Sequence, residues 1–177
     1  VQRRAATGRL HRIFNGVYSL VPPRLLSRRG WWMAAVLACG SGAVLSHRHA
    51  AALIGLRGTE RRNIEVTVPR RTGRRRDRIQ IHCSTTLTAQ DIGRVDGIPC
   101  TSVSRTLLDL AAVLPRRAVE RAFDEAEIMR ILDLNAIQRQ LERNPTHRGA
   151  AVVRSILAEH YIGSTPTQNE LEEAFLA

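Results

Sequence analysis

The chain has 177 residues, 44% of them hydrophobic, enough to build a real core and to exclude disorder along its whole length. Its formal net charge is +11, carried by 27 arginines and no lysine, and it is unevenly placed. Residues 1–78 hold 17 Arg against Glu60, Glu65 and Asp77, a net of 17 − 3 = +14, whereas residues 79–177 hold 10 Arg against 13 carboxylates, a net of −3. A basic front of this kind suits a polyanion, and the more neutral rear suits a scaffold or a protein partner. Cys39, Cys83 and Cys100 are odd in number and widely spaced, which argues against a disulfide framework or a zinc ribbon and for a reducing, cytoplasmic setting. The apolar run from Trp31 to Ser46 is only 16 residues long and is interrupted by Gly40, Ser41 and Gly42, too short and broken to span a bilayer, so no membrane partner is expected.

In chain order, Arg9 to Phe14 and Val17 to Leu20 flank Asn15-Gly16, which predicts a β-hairpin with a type I′ turn. Pro22-Pro23 closes the second strand. Ser27 is placed to cap a helix running to about Cys39, with Gly40 as its stop. A shorter helix follows Ser46, from His47 to Leu53, ended by Gly55. Ile64, Val66 and Val68 alternate, as do residues Ile79 to Cys83, so both segments read as strands. Pro69 to Arg78 joins them with six arginines in ten residues, an exposed loop by composition. Asp96-Gly97 marks a second I′ hairpin between 91–94 and 98–101, and the small sheet is expected to be antiparallel.

From Ser102 the period becomes helical. Ser104 or Ser102 caps a helix through Leu114, and Pro115 opens the next, to about Arg130. A third begins at Asp133 or Leu134, a fourth covers His147 to His160, and Thr167-Gln168-Asn169-Glu170 forms a capping box for a fifth. The predicted class is α+β: a basic hairpin, a small antiparallel sheet, then a mainly helical second half.

The hairpin, with Arg3, Arg4, Arg9, His11 and Arg12 in and before it, has the order of a recognition helix followed by the wing of a winged helix. Arginine can grip phosphates or a guanine edge bidentately. Arg70, Arg71, Arg74, Arg75 and Arg76 in the loop would track duplex phosphates; the loop has no interleaved aromatics to stack single-stranded bases. The candidate DNA-binding residues are these ten. His47, His49, His82 and Cys83 are weighed as a metal site and set aside in favour of capping and packing, because i, i+2 positions on a helix point apart. Arg105 with Asp109 and Arg121 with Glu125 have helical salt-bridge spacing. No nucleophile elbow, P-loop or dinucleotide fingerprint is present, so no catalytic residue, cofactor or metal is assigned and the chain is read as a non-enzyme.

Several runs, taken together and in order, resemble the AbiEi-type antitoxins of type IV toxin–antitoxin systems. They are Gly8 to Arg12 with Asn15 to Tyr18, Trp32 to Gly40, Ala43 to His47 with Ala50 to Leu56, and Gly97 to Pro99 with Ser104 to Ala111. The resemblance covers roughly residues 1–145. It implies a winged helix that binds promoter DNA and represses its own operon, followed by an α/β domain. It further implies a genetic partner, a nucleotidyltransferase-like toxin, with no stable complex between the two. Arg3 and Arg4 would then end the recognition helix, and Arg9, His11 and Arg12 would lie on the wing. Residues 165–176 resemble the opening helix of a very-short-patch-repair-like, PD-(D/E)XK nuclease-related domain, in which Glu170 or Glu172 would help hold a metal. One carboxylate alone cannot hold and use a magnesium ion, so a capped amphipathic helix is preferred for this tail. The expected organisation is residues 1–22 as the end of a winged helix, 23–145 as the α/β domain, and 146–177 as a helical linker with the start of a nuclease-like domain, the chain being a fragment at both ends. The expected function is a DNA-binding transcriptional regulator. The alternative is the targeting module of an endonuclease whose catalytic part lies elsewhere.

Overall fold

The computed structural model describes residues 10–69 and 76–163. The chain begins with a hairpin of β1 (His11–Phe14) and β2 (Val17–Ser19), then α1 (Arg28–Cys39), β3 (Val44–Leu45) and α2 (His47–Ile54). Strands β4 (Ile64–Val68), β5 (Ile79–Cys83), β6 (Ile92–Val95) and β7 (Ile98–Thr101) follow. Four helices complete the described chain: α3 (Val103–Ala111), α4 (Arg116–Ile128), α5 (Leu134–Arg143) and α6 (Ala150–Gly163). The class is α+β, as expected. The fifth helix expected near Thr167 lies outside the described residues.

Local signals account for most boundaries. Ser27 Oγ accepts the Gly30 N–H at 3.1 Å, and Gly40, at φ +92°, ends α1. Ser102, rather than Ser104, caps α3 through the Arg105 N–H at 3.4 Å; Asp133 caps α5 through the Ala136 N–H at 2.9 Å. Asp96 and Gly97 both have positive φ, +48° and +77°, so the β6–β7 hairpin has the expected primed turn. The first hairpin differs. Among the described residues only Gly16 of its two turn positions has positive φ, so the turn is not type I′, and a register shift between Arg12 and Phe14 takes up the difference.

The five-stranded sheet has the order β5-β4-β3-β7-β6 and is mixed, not antiparallel: β4 pairs with β5 in parallel and β3 with β7 in parallel, while β3–β4 and β6–β7 are antiparallel. Alternation fixes which face a side chain takes but not the direction of the strand. The ten residues between Val68 and Ile79 are enough to return along a five-residue strand, roughly 15 Å. The arginine-rich segment is thus a crossover connection, not a hairpin tip. Strand β3 is only two residues long, too short to show a period, yet it joins the two halves of the sheet.

One face of the sheet is apolar. Leu45, Ile64, Val66, Val68, Ile98 and Cys100 meet Trp32, Ala35 and Val36 of α1, and Phe14 and Val17 of the hairpin pack against this same layer. The second apolar cluster is built by α3 to α6 around Leu107, Phe123, Ile137 and Val153, and α2 lies between the two, giving Leu53 to one and Ala51 to the other. Helix α6 approaches α3 closely at Gly149, where a Cβ would sit 2.4 Å from the Leu108 carbonyl oxygen and 2.8 Å from Ala111 Cβ. Gly149→Ala should therefore force α6 off α3 and cost about 1–3 kcal/mol of stability. Urea unfolding with a wild-type midpoint would show that α6 can give way at no cost.

Candidate functional site

Two polar sites are formed by parts of the chain that are distant in sequence. The first is a groove of about 390 Å³ lined by Arg12, Phe14 and Asn15 of the first hairpin, Trp31 of α1, and Arg76 and Arg78 at the approach to β5. Phe14 and Trp31 meet edge to face with centroids 5.8 Å apart, which seats the hairpin on α1. The Arg78 guanidinium lies 5.7 Å from the centre of the Trp31 ring, and Arg12 Nη2 donates to Asn15 Oδ1 at 3.2 Å. Arg76 forms an isolated bridge with Ile79, and its buried Nε has no hydrogen-bond partner among the described residues. Three guanidinium groups face one carboxylate, Asp77, which is exposed and only loosely paired with Arg78 at 4.0 Å. The groove can therefore take up anionic groups.

Of the ten residues expected to bind DNA, His11, Arg12 and Arg76 are described. Arg12 and Arg76 line the same groove, whereas His11 pairs with Ser19 at the open end of the hairpin and does not line it. Arg3, Arg4, Arg9, Arg70, Arg71, Arg74 and Arg75 lie outside the described residues. Sequence reasoning missed the part played by Trp31 and Arg78. The available signal was the Trp31-Trp32 pair just inside the Ser27 cap: Trp32 is buried in the core, which leaves Trp31 to the hairpin side.

The second site grows from the other face of the sheet. Because β4 reads Ile-Glu-Val-Thr-Val and β5 reads Ile-Gln-Ile-His-Cys, the face opposite α1 carries Glu65, Thr67, Gln80 and His82. That face is partly open at Gln80 and His82 and covered over Thr67 and Glu65, and Glu65 is fully buried. Its carboxylate accepts the Arg48 backbone N–H at 3.0 Å and Arg48 Nη1 at 2.7 Å. His49 Nδ1 lies 3.2 Å from the Glu65 backbone nitrogen and 3.5 Å from Oε2. Burial works against ionisation of Glu65, and the neighbouring His49, His82, His47 and Arg48 outweigh it and keep the carboxyl well below its usual range.

His47 stacks on His82 with ring centroids 3.7 Å apart and 20° between planes, and Nδ1 of His47 meets Ser46 Oγ at 2.9 Å. Stacked rings aim their nitrogens in parallel planes, so the pair does not converge on one ion. Among the described residues no group of three His, Cys, Asp or Glu side chains is arranged to hold a metal, and Cys83 is exposed. His47 has φ +52°, a left-handed conformation that side chains seldom adopt and that concentrates at functional positions.

Beside this stack, the expected Arg105–Asp109 pair forms with Nε to Oδ1 at 2.9 Å. It is not a solvated helix-face pair: Arg105 is 3% exposed and Asp109 1%. Burial would raise the Asp109 carboxyl, but His147, His47 and Arg105 hold it below its usual range. In α4 the i, i+4 ion pair formed is Arg116 with Glu120 at 2.6 Å, and Arg121 and Glu125 do not pair with each other within 4.0 Å. Neither a protein-family model nor a curated protein matches the chain. No helix among the described residues is long and apolar enough to cross a membrane.

Burial pushes the His47 imidazole down to about 4, against the opposing pull of Asp109. Between its unfolded value near 6.5 and that folded value, the unfolded chain binds the extra proton. Stability contributed by neutral His47 is therefore complete above about pH 6.5 and is lost as pH falls toward 4, by up to about 3 kcal/mol. His47→Asn tolerates the left-handed backbone and cannot titrate. Urea midpoints measured at intervals across this window should fall less steeply for the variant; parallel curves would remove His47 as the cause.

Proposed function

We propose that the chain is a DNA-binding transcriptional regulator of the antitoxin type its sequence resembles, acting on double-stranded DNA in the cytoplasm by binding rather than by catalysis. The observation that carries this reading is the meeting of Arg12 on the hairpin with Arg76 and Arg78 from the arginine-rich connection in one groove. Residues that stand more than sixty positions apart in sequence thus present one cationic surface, at the front that carries the +14 excess. Phosphate contacts from such a surface would position the protein on a duplex, while base reading would fall to the hairpin and the residues before it. The resemblance adds repression of the chain's own operon and a nucleotidyltransferase-like toxin as genetic partner without a stable complex.

Counterion release supplies the test. Fluorescence anisotropy against a duplex taken from upstream of the gene, and against an unrelated duplex, should show tighter binding to the first and an affinity that falls steeply with salt. Six phosphate contacts correspond to about three decades between 50 and 200 mM. Replacing Arg12, Arg76 and Arg78 by alanine should lower the slope of log K on log salt by about one for each phosphate contact removed. Unchanged affinity and slope in the triple variant would overturn the reading.

A further inference from the structure

The face of the sheet that holds Glu65 opens at its edge into a cleft of about 650 Å³, between the end of β5, residues 84–86, α3 and the 143–148 connection. Arg76 and Arg78 precede the start of β5 whereas His82 and Cys83 end it, so this cleft and the basic groove lie at opposite ends of the strand, roughly 15 Å apart. Arg105 and Asp109 line its depth. They bond through a single Nε–Oδ1 contact, and Arg105 Nη2 reaches Ser84 Oγ at 3.3 Å. Among the described residues, Arg105 Nη1 and Asp109 Oδ2 have no hydrogen-bond partner although both are buried. A native interior rarely leaves such groups unmet, and here one is an ionic donor and the other an ionic acceptor.

The surrounding groups are already committed. His147 Nδ1 accepts the Gly149 N–H at 3.2 Å and Nε2 faces Asp109 Oδ1 at 3.5 Å, so neither ring nitrogen is free to act as a base. The Arg143 charge is offset by Asp91 at 2.7 Å. Arg148, at the mouth, is exposed and makes no side-chain bond or ion pair with the other described residues. Thr67 Oγ1 and His82 Nε2, also buried in the lining, have no hydrogen-bond partner among the described residues, so the unmet groups of the cleft are two guanidinium donors and one carboxylate acceptor, with a hydroxyl and an imidazole nitrogen beside them.

We propose that this cleft binds a small ligand through a protonated phosphate group, whose oxygens accept from Arg105 and Arg148 and whose hydroxyl donates to Asp109. A hydroxyl on the anion is what makes the site selective. Sulfate and the phosphodiesters of nucleic acid carry no proton at neutral pH and would set a bare oxygen against the Asp109 carboxylate. This proposal stands apart from the reading of the basic groove and does not depend on DNA binding.

Isothermal titration of the 177-residue chain with inorganic phosphate, ribose 5-phosphate and sulfate tests it, with imidazole resonances of His47, His82 and His147 reporting the location. Phosphate should saturate and bind at least about tenfold more tightly than sulfate. Ribose 5-phosphate should gain affinity as pH falls from about 7.5 to about 6, through its second ionisation. The sulfate titration, repeated at both pH values, corrects for any change in the charge of the protein itself. Binding of the ester tighter than that of free phosphate identifies a metabolite as the ligand; the reverse order identifies phosphate itself, and either supports the site. Arg148→Ala should weaken phosphate by about tenfold, and Asp109→Asn should abolish the preference over sulfate. Should Asp109→Asn not fold, the sulfate ratio and Arg148→Ala decide the matter. Equal binding of phosphate and sulfate, indifference to Arg148→Ala, or no saturation up to about 10 mM would each overturn the proposal.

Discussion

Glu65 is a carboxylate at the centre of a sheet, and much of the structure depends on how it is paired. A charge so placed is costly unless it is both paired and hydrogen-bonded, and removing its partner typically costs about 3–5 kcal/mol. Arg48 meets both needs, giving Glu65 a backbone N–H and a guanidinium nitrogen, and its other nitrogen donates to the Val113 carbonyl at 2.6 Å. One side chain thereby joins the start of α2, the middle of β4 and the chain just beyond α3. The left-handed conformation of His47 immediately precedes this contact.

That junction explains why the two faces of the sheet differ in kind. The face under α1 excludes water with aliphatic side chains and Trp32, and it carries the first hairpin through Phe14 and Val17. The opposite face is polar, yet it is buried by α2 and α3 through directional bonds, among them Thr101 Oγ1 with Thr106 Oγ1 at 2.7 Å. A buried polar layer specifies geometry closely because each member must find its partner. Where the layer reaches the edge of the sheet and partners run out, Thr67, His82, Arg105 and Asp109 retain unmet polar atoms, and the large cleft opens there. The basic groove has a different origin. It forms where a hairpin, a helix start and a crossover connection meet around one tryptophan, with like charges brought together at a surface that solvent can screen.

Legibility in the sequence followed the range of the interaction. Helix starts at Ser27, Ser102 and Asp133, and the Asp96-Gly97 turn, were readable because a cap or a positive φ involves only a few neighbouring residues. Strands β4 and β5 were readable from alternation, but their parallel pairing was not, since a period of two is the same in both directions. The Asn15-Gly16 turn was placed correctly and its type was not, because the bulge at Ile13, between Arg12 and Phe14, depends on how the hairpin sits against Trp31. Arg105 and Asp109 were legible as a pair four residues apart, while their burial was hidden: the helix that carries them is covered by residues about forty positions later.

By itself, then, the sequence determined the α+β class, most element boundaries and the concentration of positive charge in the first 78 residues, all set by local backbone preferences and by composition. Tertiary structure alone decided the mixed strand order, the burial of Glu65 and Asp109, and the meeting of Arg12 with Arg76 and Arg78. The reason is that strand direction, desolvation and charge proximity are properties of pairs of distant segments, and no pattern within a single segment encodes them.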